Sequence, residues 1–227
     1  MRKLTGMFAL AVAASTAAAQ GGAMGGMKMD ETKKVTQVGP LPTGWMERLD
    51  RPNLKAEDLN FTTMGSGLHV TTGPAAIFWN PANTASGTYA ISAQFGVRSM
   101  PQHDAYGLIW GGTDLSGDKE SYAYFIVYGD GSFTVKHRAG ANSARVGGDV
   151  HEVVPKTDNA AINKAPDNGG VSNALEVRLG TDSVRFFANG KQVGAVDAKN
   201  PMMPNAGVYG FRVNHNIDVH VGGFGKK

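Results

Sequence analysis

From Trp45 onward the apolar residues of this chain recur at every second position, and this alternation constrains the fold more than any other feature. Tyr89, Ile91 and Ala93 alternate with Ala90, Ser92 and Gln94. Tyr122, Tyr124, Ile126 and Tyr128 alternate with Ala123, Phe125 and Val127. Leu175, Val177 and Leu179 alternate with Glu176 and Arg178, and Ile217, Val219 and Val221 with Asp218 and His220. Runs at 106–110 and 133–137 follow the same rule. Successive side chains of a strand point to opposite faces, so a period of two marks strands. No capped amphipathic pattern of about 12 residues or more interrupts them, and at most a short turn near Pro52–Leu59 is expected. Asp130-Gly131 and Asn189-Gly190 each separate two strand patterns, and both read as type I′ hairpin turns. Residues 155–173 read as a long loop. Strands without helices can bury their apolar faces only on each other, so the expected fold is an all-β sandwich of two antiparallel sheets. It runs from about residue 44 to the C-terminus as a single domain, with no internal repeat.

The N-terminus reads as an export signal. Arg2 and Lys3 precede the apolar stretch Met7–Ala14, and Ala17-Ala18-Ala19 supplies a small-residue cleavage site before Gln20. The stretch is shorter than the roughly 20 residues that cross a bilayer. Cleavage after Ala19 removes two of the 22 basic residues, leaving 20 against 19 acidic ones. The basic excess therefore belongs mostly to the signal, and a nucleic-acid partner is not expected. The mature chain should reach the periplasm or the cell exterior, with no transmembrane segment. Residues 20–43 are rich in Gly, Met and Lys and read as a flexible leader. Met24, Met27 and Met29 there offer soft ligands for Cu(I), or are simply low-complexity sequence. The absence of cysteine excludes disulfides, thiolate zinc sites and a cysteine nucleophile.

Several chemistries have no matching motif. His151-Glu152 opens like a zinc-protease helix, but Pro155 opposes a helix there. No nucleophile elbow, P-loop or dinucleotide fingerprint occurs. Asp114, Ser116, Asp118 and Glu120 stand two apart, a spacing that can wrap Ca²⁺ or simply build a turn. Asp104 beside His103 poses the same choice, and no other cofactor is expected. His103 and His215 both border strands, can meet at one end of the sandwich, and are the catalytic candidates. Aromatics are a stronger lead, because the apolar faces of sugars stack on Trp and Tyr while their hydroxyls need planar polar partners. Trp79, Tyr106, Trp110, Tyr122, Tyr124 and Tyr128 cluster on the central strand patterns, and His137, Arg138, Arg212, Asn214 and His215 can supply polar contacts. A sandwich core needs such aromatics as filling, so both readings stay open. The strand at 122–128 is apolar on both faces and should be covered on both sides, by a loop, a partner or a ligand.

Four stretches carry a family resemblance: AYGLIWGG at 105–112, YAYFIVYGDGSFTVKHRAG at 122–140, NALEVRLGTDSVRFFANGKQVG at 173–194 and GVYGFRVNHNIDVHVGGF at 207–224. Together they resemble the concanavalin A-like lectin/glucanase superfamily over roughly 44–225. Within it, the chain looks most similar to secreted bacterial proteins related to the 3-keto-disaccharide hydrolase family. The resemblance implies a jelly roll with one concave sheet at which carbohydrate is bound or cleaved. The glucanase signature E-x-D-x-x-E is missing, since none of Glu31, Glu47, Glu57, Glu120, Glu152 and Glu176 opens it. Retaining hydrolysis needs two carboxyls about 5–5.5 Å apart, so that chemistry is not expected. The family's opening segment is matched only at Gly44-Trp45. Three readings follow: a secreted carbohydrate-binding protein with an aromatic-lined face; a hydrolase or lyase of 3-keto-glycosides using a His base and a metal-polarised carbonyl; and a structural or surface interaction protein.

Overall fold

The computed structural model describes residues 32–50, 58–140 and 150–227. The expected signal peptide, the thioethers of Met24, Met27 and Met29, and most of the turn expected near Pro52–Leu59 lie outside the described residues.

Among the described residues there are fourteen strands: β1 Met46–Leu49, β2 Leu59–Met64, β3 Gly67–Thr72, β4 Ala76–Ser86, β5 Tyr89–Met100, β6 Ala105–Thr113, β7 Ser121–Tyr128, β8 Ser132–Ala139, β9 Val150–Asp158, β10 Gly169–Leu179, β11 Ser183–Ala188, β12 Lys191–Asp197, β13 Ala206–Val213 and β14 Asp218–Lys226. They form two antiparallel seven-stranded sheets, ordered β1-β4-β13-β6-β7-β8-β9 and β12-β11-β10-β5-β14-β3-β2. This is the two-sheet antiparallel sandwich that the alternation requires, with the jelly-roll architecture that the resemblance implies.

The core is aromatic. Trp45, Phe61, Phe78, Phe211 and Phe224 pack ring on ring at one place, and Trp110, Phe125, Phe133 and Phe186 at another. A domain without disulfides draws its stability from such burial, worth about 25 cal/mol per Å² of apolar surface. Gly107 on β6 marks a close approach. A Cβ there would clash with the Phe125 carbonyl oxygen of β7.

Local differences from the sequence expectation have identifiable causes. Residues 155–158 continue β9 instead of opening a loop. Pro155 is tolerated because β9 is the edge of its sheet, paired only with β8. The Asn189-Gly190 turn has positive φ at both residues, 51° and 79°, as a type I′ turn needs. At Asp130-Gly131 only Gly131 turns positive. Here the Asp130 carboxylate accepts from the Ser132 amide and hydroxyl, building the turn through a side chain instead. The leader expected over 20–43 is docked in its described part. The Lys33 amide donates to Asn216 Oδ1 at 2.8 Å, and Gln37 bonds both the amide and the carbonyl of Phe61.

Candidate functional site

In a two-layer sandwich the face of each sheet turned away from the core is normally polar and solvated. The outer face of the first sheet departs from that rule. Ile77 and Trp79 on β4, Ile109 on β6, and Tyr122, Tyr124 and Ile126 on β7 form a second apolar cluster, separate from the intersheet core. All are at most 4% exposed. Leu115 joins them from the loop after β6, and Val208 and Tyr128 pack at the margin. The two-faced apolar pattern of 122–128 thus corresponds to a strand covered on both sides.

Across this face the register aligns charged groups with the aromatics. Tyr122 stands opposite Arg138 of β8, and Arg212 of β13 stands opposite Ile77 on one side and Gly107 on the other. Asp50, just past β1, reaches both arginines. Arg212 grips the carboxylate with two nitrogens, Nη1 at 2.7 Å from Oδ1 and Nη2 on Oδ2, while Arg138 Nη1 donates to Oδ1 at 3.0 Å. Arg138 Nη1 also donates to the Tyr122 hydroxyl at 3.2 Å, and Arg212 Nε to Asn214 Oδ1 at 2.9 Å. The Arg212 guanidinium lies 5.4 Å from the Tyr124 ring centre, and that of Arg138 5.9 Å from Tyr122.

The electrostatics follow from burial. Burial alone would raise the Asp50 carboxyl, but Arg212 and then Arg138 overcome it and hold the group well below the usual carboxylate range. Burial would lower both guanidiniums; Asp50 lifts Arg212 well above its ordinary value, and the Tyr122 oxygen and the Asp50 carboxylate raise Arg138. Burial pushes the Tyr122 and Tyr124 hydroxyls upward, so both remain neutral phenols. The cluster therefore holds two fixed positive charges and one negative charge.

Of the expected ligand contacts, the structure brings Trp79, Tyr124, Arg138, Arg212 and Asn214 to this face or its margin. Three others are corrected. Tyr106 and Trp110 occupy the opposite parity of β6 and lie in the intersheet core. The Tyr106 hydroxyl accepts from Asn173 Nδ2 at 2.9 Å, and Trp110 packs on Phe186. His137 pairs with Ala123, on the inner side of β8, and its ring lies 3.2 Å from the Ser121 hydroxyl. Burial, with the His151 charge, lowers its pKa. Asp50 is the residue that sequence reasoning missed. It belongs to no strand pattern, and only the chain path brings it to arginines 88 and 162 positions away.

The calcium candidates are organised around an arginine. Arg48 Nη1 donates to the Leu115 and Gly117 carbonyls at 2.6 and 2.7 Å, and its Nε lies 3.1 Å from the buried Glu120 carboxylate. Asp114 accepts from the Lys119 amide at 2.8 Å. Asp114, Ser116, Asp118 and Glu120 thus do not converge on an empty centre, and a guanidinium stands where a cation was expected. Among the described residues no group of three or more His, Asp or Glu is arranged to hold a metal ion.

His103 and His215 do share a neighbour. Asp104 has one oxygen 3.4 Å from His215 Nδ1 and the other 3.7 Å from His103 Nε2. Asp104 is buried, while His103 is largely exposed. The Asn214 amide donates to the Ala105 carbonyl, and Ala105 pairs with Tyr128. The Arg212–Asn214 contact therefore leads from the buried cluster to this end of the sandwich, where Tyr128, Asn214 and His215 are partly exposed.

The second sheet carries an open groove of about 340 Å³ on its own outer face, lined in part by Gln94, Glu176, Arg178, Phe187 and Lys227. Its charges satisfy one another, Glu176 with both Arg178 and Lys227, and Arg178 covers the Phe187 ring at 4.0 Å. It presents no free aromatic face.

Similar structures define the class of fold. No protein-family model matches the sequence, and no curated protein matches it. Carbohydrate-binding module CBM66 from Bacillus subtilis superposes with a TM-score of 0.56 at 9% identity, over 83% of this chain and 99% of that one. A Bacteroides ovatus mixed-linkage glucan GH16 protein bound to a G4G4G3G product gives 0.51 at 7% identity, over 78% and 92%. A second GH16 endo-glucanase from Bacteroides ovatus gives 0.50 at 10% identity, over 79% and 81%. The chain thus has a jelly-roll sandwich fold similar to that of these carbohydrate-binding and GH16 structures. Among the described residues no helix is long and apolar enough to cross a membrane.

Proposed function

We propose that this protein is an exported carbohydrate-binding β-sandwich. Its sugar site is the end of the first sheet's outer face, where Tyr128, Asn214 and His215 are accessible and Tyr124, Arg138 and Arg212 stand behind them. The observation that carries this reading is the aromatic and planar-polar composition of a face that a two-layer sandwich would otherwise leave solvated. Aromatic rings take the apolar faces of a pyranose, and amide and guanidinium planes take its hydroxyls. The fold's similarity to a carbohydrate-binding module supports the reading. The test is a glycan array followed by titration of tryptophan fluorescence. Binding should weaken about tenfold, or about 1.4 kcal/mol, in Tyr128→Ala. An array without a single bound glycan would remove the proposal.

A second reading has its own observation, the His103–Asp104–His215 contact. It is hydrolysis of 3-keto-glycosides, the activity of the narrower family that the sequence resembles. Asp104 lies beside Nδ1 of His215, which leaves Nε2 to take a proton next to a keto group. Monosaccharide release from a 3-keto-disaccharide, lost in His215→Ala, is the expected result. No release by the unaltered protein would eliminate this reading, and unchanged release by both His103→Ala and His215→Ala would remove these residues from the site.

A further inference from the structure

The Asp50–Arg138–Arg212 cluster has a charge and a donor edge left over. Two guanidiniums face one carboxylate, and the hydroxyls of Tyr122 and Tyr124 remain neutral and supply no second negative charge. Three neighbouring ion pairs on this sheet are self-contained: Arg48 with Glu120, Lys136 with Glu152, and Lys156 with Asp130. The Asp50 cluster itself therefore holds two positive charges against one negative charge, and the surplus sits at Arg138 and Arg212. A buried charge of this kind costs several kcal/mol unless something pairs with it.

The donors point the same way. Arg212 uses all three nitrogens, two on Asp50 and Nε on Asn214. Arg138 uses only Nη1. Among the described residues its buried Nε has no hydrogen-bond partner, and both of its side-chain hydrogen bonds leave Nη2 unused. Nε and Nη2 form one edge of the planar guanidinium, the fork that fits two oxygens of a carboxylate or sulfate in parallel. Arg138 is more than nine-tenths buried, so leaving that fork empty is expensive. The site is not sealed, since the Asp50 side chain keeps 18% of its exposure and that of Arg138 9%.

We propose that the saccharide recognised by this face is acidic, and that its anionic group docks on the free edge of Arg138 beside Arg212. The inference rests on the carbohydrate-binding reading and specifies the ligand class. The shared chemistry is an anionic oxygen pair on a sugar ring, which a uronic acid supplies as carboxylate and a sulfated sugar as sulfate ester.

The test compares tetragalacturonate, its carboxyl-reduced neutral counterpart and a sulfated galactan tetrasaccharide by calorimetric titration. Tighter binding of either anionic probe than of the neutral one, by at least about tenfold, is expected. Which anionic probe wins distinguishes carboxylate from sulfate. Arg138→Gln should abolish the ratio between acidic and neutral probes, whatever it does to neutral-sugar binding itself, and Arg138→Lys should not restore that ratio, because an ammonium lacks the fork. Equal binding of acidic and neutral probes would overturn the acidic-ligand inference and leave carbohydrate binding standing. No binding of any saccharide would fail the broader reading first. A preference that survives Arg138→Gln would place the anion elsewhere and overturn this site. Should both variants unfold, thermal shift of the unaltered protein decides. Galacturonate should raise Tm where galactose at the same concentration and ionic strength does not, and equal shifts refute the inference.

Discussion

Replacing Asp50 with asparagine tests whether the outer face of the first sheet is held by a buried charge network or only by apolar packing. The substitution keeps side-chain volume, so no cavity opens, and it removes the charge alone. In the structure that carboxylate receives three guanidinium nitrogens, two from Arg212 and one from Arg138. Breaking a buried pair by deleting one partner costs about 3–5 kcal/mol, because the remaining charge stays desolvated. At about 2–4 °C per kcal/mol for a domain of this size, Tm should fall by about 6–20 °C. The comparison is Asp130→Asn, whose partner Lys156 is far more exposed and whose loss should cost about 1 kcal/mol or less.

The pH dependence has a definite sign. The Asp50 carboxyl is depressed in the folded state, so its contribution is fully present above the ordinary aspartate pKa of about 3.9. As pH falls below that value the unfolded chain takes up the proton first, and the contribution shrinks. Urea unfolding of the unaltered protein and Asp50→Asn should therefore differ by a constant amount from pH 7 down to about pH 4, and converge below it. A gap under about 1 kcal/mol at pH 7, or one that widens toward acid, would refute the reasoning.

Three further outcomes can be checked. Arg48→Leu takes the guanidinium from the buried Glu120 and the Leu115 and Gly117 carbonyls and should cost about 3–5 kcal/mol in chemical denaturation; Arg48→Leu with Glu120→Leu should recover much of it. Gly107→Ala forces a Cβ against the Phe125 carbonyl oxygen and should cost about 3 kcal/mol by the same assay, whereas Gly190→Ala, with nothing near its Cβ, should lose only the penalty of its positive φ. Mass spectrometry of the exported protein should find Gln20 as the first residue, and retention of Met1–Ala19 would refute the export signal.

Much of the fold was legible because strand alternation is local. Phe125 and Val127 against Tyr124 and Ile126 announce two buried faces from eight residues of chain. The candidate site was legible in part for the same reason. Arg138, Tyr124 and Trp79 stand on recognisable strands, and their parity is set once each strand is placed. Parity does not say which face looks inward. Tyr106 and Trp110 alternate with Gly107 and Ile109, and either row could have filled the core. The opposite sheet decided it, since Phe95 and Phe186 meet Tyr106 and Trp110 across the interior. His137 went astray in the same way, one position from Arg138 and on the other face.

By itself the sequence determined most of the strands, the two-sheet architecture and the absence of disulfide support, because each follows from near-neighbour patterns or from composition. Tertiary structure alone decided what the polar residues do. Asp50, Arg138 and Arg212 come from three separate strands or strand ends, and their interaction depends on β1, β4, β13 and β8 being laid into one sheet. Arg48 entering the 114–120 loop, and Asp104 lying between His103 and His215, are long-range pairings of the same kind. Hydrogen bonds and ion pairs act over about 3 Å, while the residues that make them lie up to 183 positions apart, so only the folded chain brings them within range.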